Sequence, residues 1–258
     1  MYNIKYKLMK NLKQIITALI LVITVTAAIA QDPADIIRRM EDNMRGDASY
    51  TEMTMEVVRP RYTREISMRS WTLGDDFALI NITAPARDEG TGFLKRGNDI
   101  WNYVPNIDRT IKMPPSMMSQ SWMGSDFTND DLVQGTSRVD DFSHELRGTE
   151  TIDGRECYVI EMIPHPEAPI VYEKVIAWVI TDLYLPAKIE NYDERDDLVS
   201  TINFGEIQTL GGRQVPTVIE MIPEDKRGHR TVMRTYDADY DINISQDFFS
   251  IENLTRKR

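Results

Sequence analysis

The stretch "YTEMTMEVVRPRYTREISMRSWTLGDDFALINITAP", residues 50–85, decides the fold class. Its apolar residues recur with a period of two: Met53, Met55 and Val57 alternate with Glu52, Thr54 and Glu56, and Ile66 and Met68 alternate with Glu65, Ser67 and Arg69. That period places one set of side chains on each face of an extended chain, whereas a helix would need a period near 3.6. Pro60 and the run Gly74-Asp75-Asp76 break the pattern where turns are needed, so three strands joined by hairpins are expected.

Working outward, "DIWNYVP" and "RTIKM" continue the strand series, and strands resume near Asp140 and run almost to the end. Turns fall at "RGTETIDGR", "TDLYLP", "YDERDD", "LGGRQ" and "EDKRGH". The hexapeptide "VIEMIP" occurs twice, from Val159 and from Val218, each time after a Gly-Arg pair, which reads as two hairpin strands ended by proline. The helical material is small. "DPADIIRRMEDNMRG" spaces Ile36, Ile37, Met40 and Met44 along one helical stripe, and Gly46 stops it. Thr128 and Asp131 in "DFTNDDLV" are placed as a capping box for a second, short helix. The expectation is an α+β fold: a strongly curved antiparallel sheet of about 10–11 strands forming an incomplete (half) β-barrel, its concave face covered by helices and a loop.

The first thirty residues stand apart. "MYNIKYKLMKNLK" carries four lysines and no acid, the next seventeen residues are uncharged and mostly apolar, and Ala28-Ile29-Ala30 suits cleavage before Gln31. This is the pattern of a secretory signal peptide over residues 1–30, with one domain over 31–258 and a periplasmic location. Without those lysines, 26 basic residues face 41 acidic ones, a balance of −15 that disfavours nucleic acid and anionic headgroups as bulk partners. The one cysteine, Cys157, lies in a strand pattern and reads as a small buried residue.

Catalytic signals are missing from the sequence. His144, His165 and His229 have no partner at metal-ligand spacing, and no nucleophile elbow or phosphate loop occurs, so neither an enzyme nor a cofactor nor a metal is expected. Asp126, Asn129, Asp130 and Asp131 could offer oxygen to calcium, but their spacing suits helix capping better. The unusual feature is "KMPPSMMSQSWMGSDFTNDD", residues 112–131. Between Lys112 and Asp126 it has no charge, but it holds Met113, Met117, Met118, Trp122 and Met123, with Phe127 just beyond. Unbranched methionines beside helix-breaking prolines and serines describe a re-packable apolar surface better than a dry core. With Trp71, Trp101, Tyr103 and Trp178 as candidate cavity walls, these residues form the expected ligand-binding set. Residues 113–127 would act as a lid over it.

Three blocks, "GFLKRGNDIWNYVPNIDRTIKM", "MMSQSWMGSDFTNDDL" and "AWVITDLYLPAKIENYD", resemble the LolA-like outer-membrane lipoprotein-sorting proteins, in the branch associated with lipid exporters. The resemblance spans essentially all of residues 31–258 and is most specific at "MGSDFTNDDL". It implies an incomplete barrel with an apolar cavity for acyl chains, and a carrier that passes a lipid or an acylated lipoprotein between membranes. Implied partners are an inner-membrane exporter of the resistance-nodulation-division type or an outer-membrane acceptor. It also implies an arginine holding the lid closed, which the sequence alone does not single out. The rival is a periplasmic sensor of the same fold that binds a lipid signal or a partner protein without transport.

Overall fold

The computed structural model describes residues 31–256 apart from 98, 130, 132–137, 167 and 169. The expected signal peptide therefore lies outside the described residues. Among those described, no helix is long and apolar enough to cross a membrane. Pro33–Arg258 form one compact unit.

Helix α1 spans Pro33–Arg45, with proline in its first turn and Asp35 favourably placed near its N-terminus. It ends where Gly46 adopts a φ of 64°. The strands among the described residues form a single antiparallel sheet of thirteen: β1 (Ala48–Arg59), β2 (Tyr62–Leu73), β3 (Phe77–Ala84), β4 (Gly92–Arg96), β5 (Asp99–Val104), β6 (Arg109–Lys112), β7 (Phe142–Ile152), β8 (Arg155–Pro164), β9 (Lys174–Ile180), β10 (Pro186–Tyr192), β11 (Leu198–Leu210), β12 (Arg213–Pro223) and β13 (Arg230–Tyr240). Their order is β6-β5-β4-β3-β2-β1-β13-β12-β11-β10-β9-β8-β7, so neighbours in space are neighbours in sequence except where β1 meets β13. The edges, β6 and β7, do not pair with one another, and the sheet is open. A short helix α2, Ile251–Thr255, capped by the Ser250 side chain, closes the chain.

The sheet departs from the ten or eleven strands expected in two local ways, one in strand number and one in strand length. Strand β4 is five residues long and buried at four of them, so it carries no alternation to read. Residues 147–152, expected as part of a turn, continue β7, and the register slips between Leu146 and Gly148 where Gly148 has a φ of 136°. A glycine accommodates that bulge without a side-chain clash. The repeated "VIEMIP" segments close β8 and β12, each ending at its proline.

Alternation gives the sheet a front and a back. On the front, Ile160, Met162, Val175, Ala177, Val179, Ile189, Ile202 and Met221 pack with Ile36, Ile37 and Met40 of α1. The front of β1–β4 carries Met55, Val57, Ile66, Met68, Ile80, Ile82 and Phe93, and Met233 touches both groups. The back of β8–β10 is a separate cluster around Cys157, Trp178 and Ile180, in which Cys157 is fully buried and its thiol pKa raised by that burial. The back of β2–β5 is covered by the C-terminal segment through Phe249 and Leu254. The approach there is close: a Cβ at Gly92 would lie 2.7 Å from a Leu254 methyl.

Candidate functional site

The uncharged segment folds as a self-contained loop. Pro115–Met117 and Trp122–Gly124 form single 3-10 turns, the first following the helix-breaking Pro114 and the second interrupted by Met123 at a φ of 51°. Ser121 and Thr128 form a bridge, the Trp122 amide donates to the Phe127 carbonyl at 2.8 Å, and the Asn129 amide donates to the Gln120 carbonyl at 2.9 Å. The Asn129 side chain also donates to the Met117 carbonyl at 2.8 Å. The capping pair is formed: the Thr128 amide and hydroxyl both donate to Asp131, and the Asp131 amide donates back to Thr128 Oγ1 at 3.1 Å. The helix it would open lies largely outside the described residues.

Trp122 and Phe127 pin this loop onto the front of the sheet. Trp122 is fully buried among Met55, Ile66, Met68, Ile80, Ile82 and Phe93, its ring centroid 5.4 Å from that of Phe93. Phe127 joins the neighbouring cluster that includes α1. Met123 touches the Trp122 cluster, while Met113, Met117 and Met118 are half-buried.

Two arginines of the sheet latch the loop by its polar atoms. Arg59 forms an ion pair with Asp126 at 2.8 Å, both side chains almost wholly buried at 9% and 3% exposure. Its other terminal nitrogen donates to the Gly124 carbonyl at 2.7 Å. The Thr231 hydroxyl donates to the same Asp126 carboxylate at 2.7 Å and lies 2.9 Å from the Asp126 amide. Arg64 donates to the Met123 carbonyl at 3.1 Å and to Asp88 at 2.7 Å. Asp126, weighed from the sequence as a cation ligand, therefore has its carboxylate committed to an arginine and a threonine.

The front also contains a cleft of about 330 Å³ between α1 and both halves of the sheet. Met40, Met44, Ala78, Ile189, Phe204 and Ile219 supply its apolar wall. Glu41, Arg45, Asp75, Lys95, Asp131 and Arg138 supply a polar end with three formal charges of each sign. Burial raises the Glu41 pKa, opposed by the charge and backbone N–H of Arg138; burial likewise lowers the Arg138 pKa, opposed by Glu41. Arg45 of α1 pairs with Asp75 of the β2–β3 turn, and both also line a neighbouring hollow of about 460 Å³.

The ten residues expected to bind ligand do not form one cluster. Trp122, Met123 and Phe127 lie on the front, on the loop that also carries Met113, Met117 and Met118. Trp71, Trp101 and Tyr103 lie on the back, packed against the C-terminal segment. Trp178 is also on the back, where its indole donates to Glu150 at 2.8 Å and Lys188 sits 3.7 Å from its ring centroid. None of the ten lines the cleft beneath α1. Its wall comes from strands distant in sequence, and only the apolar stripe of α1 hinted at it. Arg59 and Arg64 were equally hidden, since a basic residue in an alternating strand reads as solvent-facing.

Comparison with known proteins agrees with this architecture. A family model described only as "-like: Uncharacterized protein" matches residues 74–256. No curated protein matches the chain. Among solved structures, a DUF1329 family protein from Desulfovibrio piger is 26% identical, with a TM-score of 0.79 over 87% of this chain and 100% of its own. A putative outer membrane lipoprotein-sorting protein domain from Vibrio parahaemolyticus is 22% identical, with a TM-score of 0.77 over 87% and 98%. A LolA superfamily protein from Nitrosomonas europaea is 22% identical, with a TM-score of 0.74 over 87% and 100%. The chain belongs to the uncharacterized family that this model describes, and its open thirteen-stranded sheet has the fold of the LolA-like outer-membrane lipoprotein-sorting proteins.

Proposed function

We propose that this protein is a periplasmic carrier that holds an acyl chain of a lipid or lipoprotein against the front of its sheet, and that it is not an enzyme. The observation that carries the reading is the manner in which residues 113–129 are attached. The loop satisfies much of its backbone internally and meets the sheet mainly through buried aromatic side chains and the Arg59 and Arg64 latches. Such a loop can lift as a unit without unpairing a strand. Its removal would expose an apolar surface on β1–β4 beside the α1 cleft.

The energetics suit a chain-like ligand. Each methylene moved from water into that surface gains about 0.8 kcal/mol, so a long chain needs few polar contacts. The charged end of the cleft, with equal numbers of both signs, suits a polar or zwitterionic headgroup better than bulk attraction to an anionic surface. In this reading residues 1–30 are removed on export, residues 31–258 are the carrier, and α1 with the loop covers a concave front face. Delivery runs to or from an exporter of the resistance-nodulation-division type or an outer-membrane acceptor.

The test is native mass spectrometry of the chain purified without detergent from its own cell envelope, followed by extraction of bound lipid. A discrete phospholipid, fatty acid or acylated peptide is the expected result. A protein that is empty and takes up no added lipid overturns the carrier and favours the partner-binding sensor.

A further inference from the structure

The slot filled by Trp122 has properties that a permanent core contact does not need. Its indole N–H is fully buried and has no hydrogen-bond partner, although buried indoles ordinarily find one. The next residue, Met123, holds a φ of 51°, a left-handed conformation that costs a non-glycine residue energy. The surrounding side chains, Met55, Ile66, Met68, Ile80, Ile82 and Phe93, are all apolar, and two of them are adaptable methionines. An unsatisfied donor and a strained backbone are thus held in place by the arginine latch beside them.

We propose that the Trp122 slot on the front of β1–β4 is itself an acyl-chain binding site, occupied by the indole when the carrier is empty. Trp122 is then an internal competitor for cargo. This rests on the carrier reading above and deepens it by locating the chain. The closed state is stable enough to keep the slot dry, but the orphaned N–H and the Met123 backbone keep it from being too stable to open. A single saturated or mono-unsaturated chain is the class of ligand that such a slot accepts, because it offers no polar atom that its lining could satisfy.

The test uses the full chain, dansyl-labelled undecanoic acid as probe, and three forms: wild type, Trp122→Ala and Trp122→Phe. Alanine empties the slot, as deleting a buried side chain leaves a cavity that apolar ligands enter. Its affinity should rise at least roughly tenfold if the indole and the probe compete. Phenylalanine fills most of the slot but removes the orphaned donor, which stabilises the closed state, so its affinity should fall by about fivefold or more. Should the alanine form not fold, as judged by far-ultraviolet circular dichroism, Trp122→Leu takes its place with the same expected sign. Equal affinity in all three forms, or tighter binding by phenylalanine, overturns the slot and leaves the carrier with only its α1 cleft. Absence of binding by every form overturns the carrier reading with it.

Discussion

Breaking the buried latch should cost far more than its size suggests. Arg59 and Asp126 are 9% and 3% exposed and 2.8 Å apart, so replacing either one strands the other charge away from water. Removing one partner of a buried pair typically costs about 3–5 kcal/mol, whereas an exposed pair is worth about 0–1 kcal/mol. Arg59→Met and Asp126→Leu should each fall in the first range. The double variant should cost less than their sum, with a coupling of about 2–3 kcal/mol. For a chain of this size each kcal/mol moves Tm by about 2–4 °C, so each single variant should melt about 10 °C lower. Urea titration provides the energies, and amide exchange at residues 121–129 reports whether the loop has come free. Additive losses below about 1 kcal/mol would instead make the pair an ordinary surface contact.

Other consequences are separable from the latch. Glu41 has a raised pKa in the folded state, so the folded protein binds its proton more tightly than the unfolded chain, and stability falls as pH rises above the ordinary value of 4.5. Glu41→Gln should therefore be more stable than wild type at pH 7 in thermal melts, with the gain vanishing at acid pH where both forms are neutral. Trp178→Phe loses the bond to Glu150 and the contact with Lys188, and should cost about 1–2 kcal/mol in urea titration while leaving lipid affinity unchanged, because the residue is on the back. Gly92→Ala drives a methyl group into Leu254 and should cost about 1–3 kcal/mol, with the C-terminal segment loosened and Trp71 fluorescence shifted to the red.

The sheet was legible in the sequence wherever one face of a strand is buried and the other wet, as in β1 and β2. It was not legible in β4, where Phe93 faces the front cluster and Leu94 the back one, so both sides of the strand are apolar. The stripe on α1 and the Thr128–Asp131 cap were readable because their partners are three or four residues apart. The latch was not, since Arg59 and Asp126 are 67 residues apart and nothing local ties them together. The uncharged loop identified itself by composition, but composition could not divide its aromatics from Trp71, Trp101, Tyr103 and Trp178. Period-two alternation sorts residues within one strand, and only the register across thirteen strands assigns every strand's faces to a common front and back.

The most direct test of a front-face lipid site is photolabelling with a fatty acid carrying a diazirine along its chain, followed by mass spectrometric mapping of the adducts. Adducts are expected on front residues such as Met55, Met68 and Phe93 and on the α1 cleft residues Met40, Phe204 and Ile219, with none on Trp71, Trp101 or Trp178. Labelling concentrated on the back of the sheet, or none above that of a non-binding control protein, would contradict it.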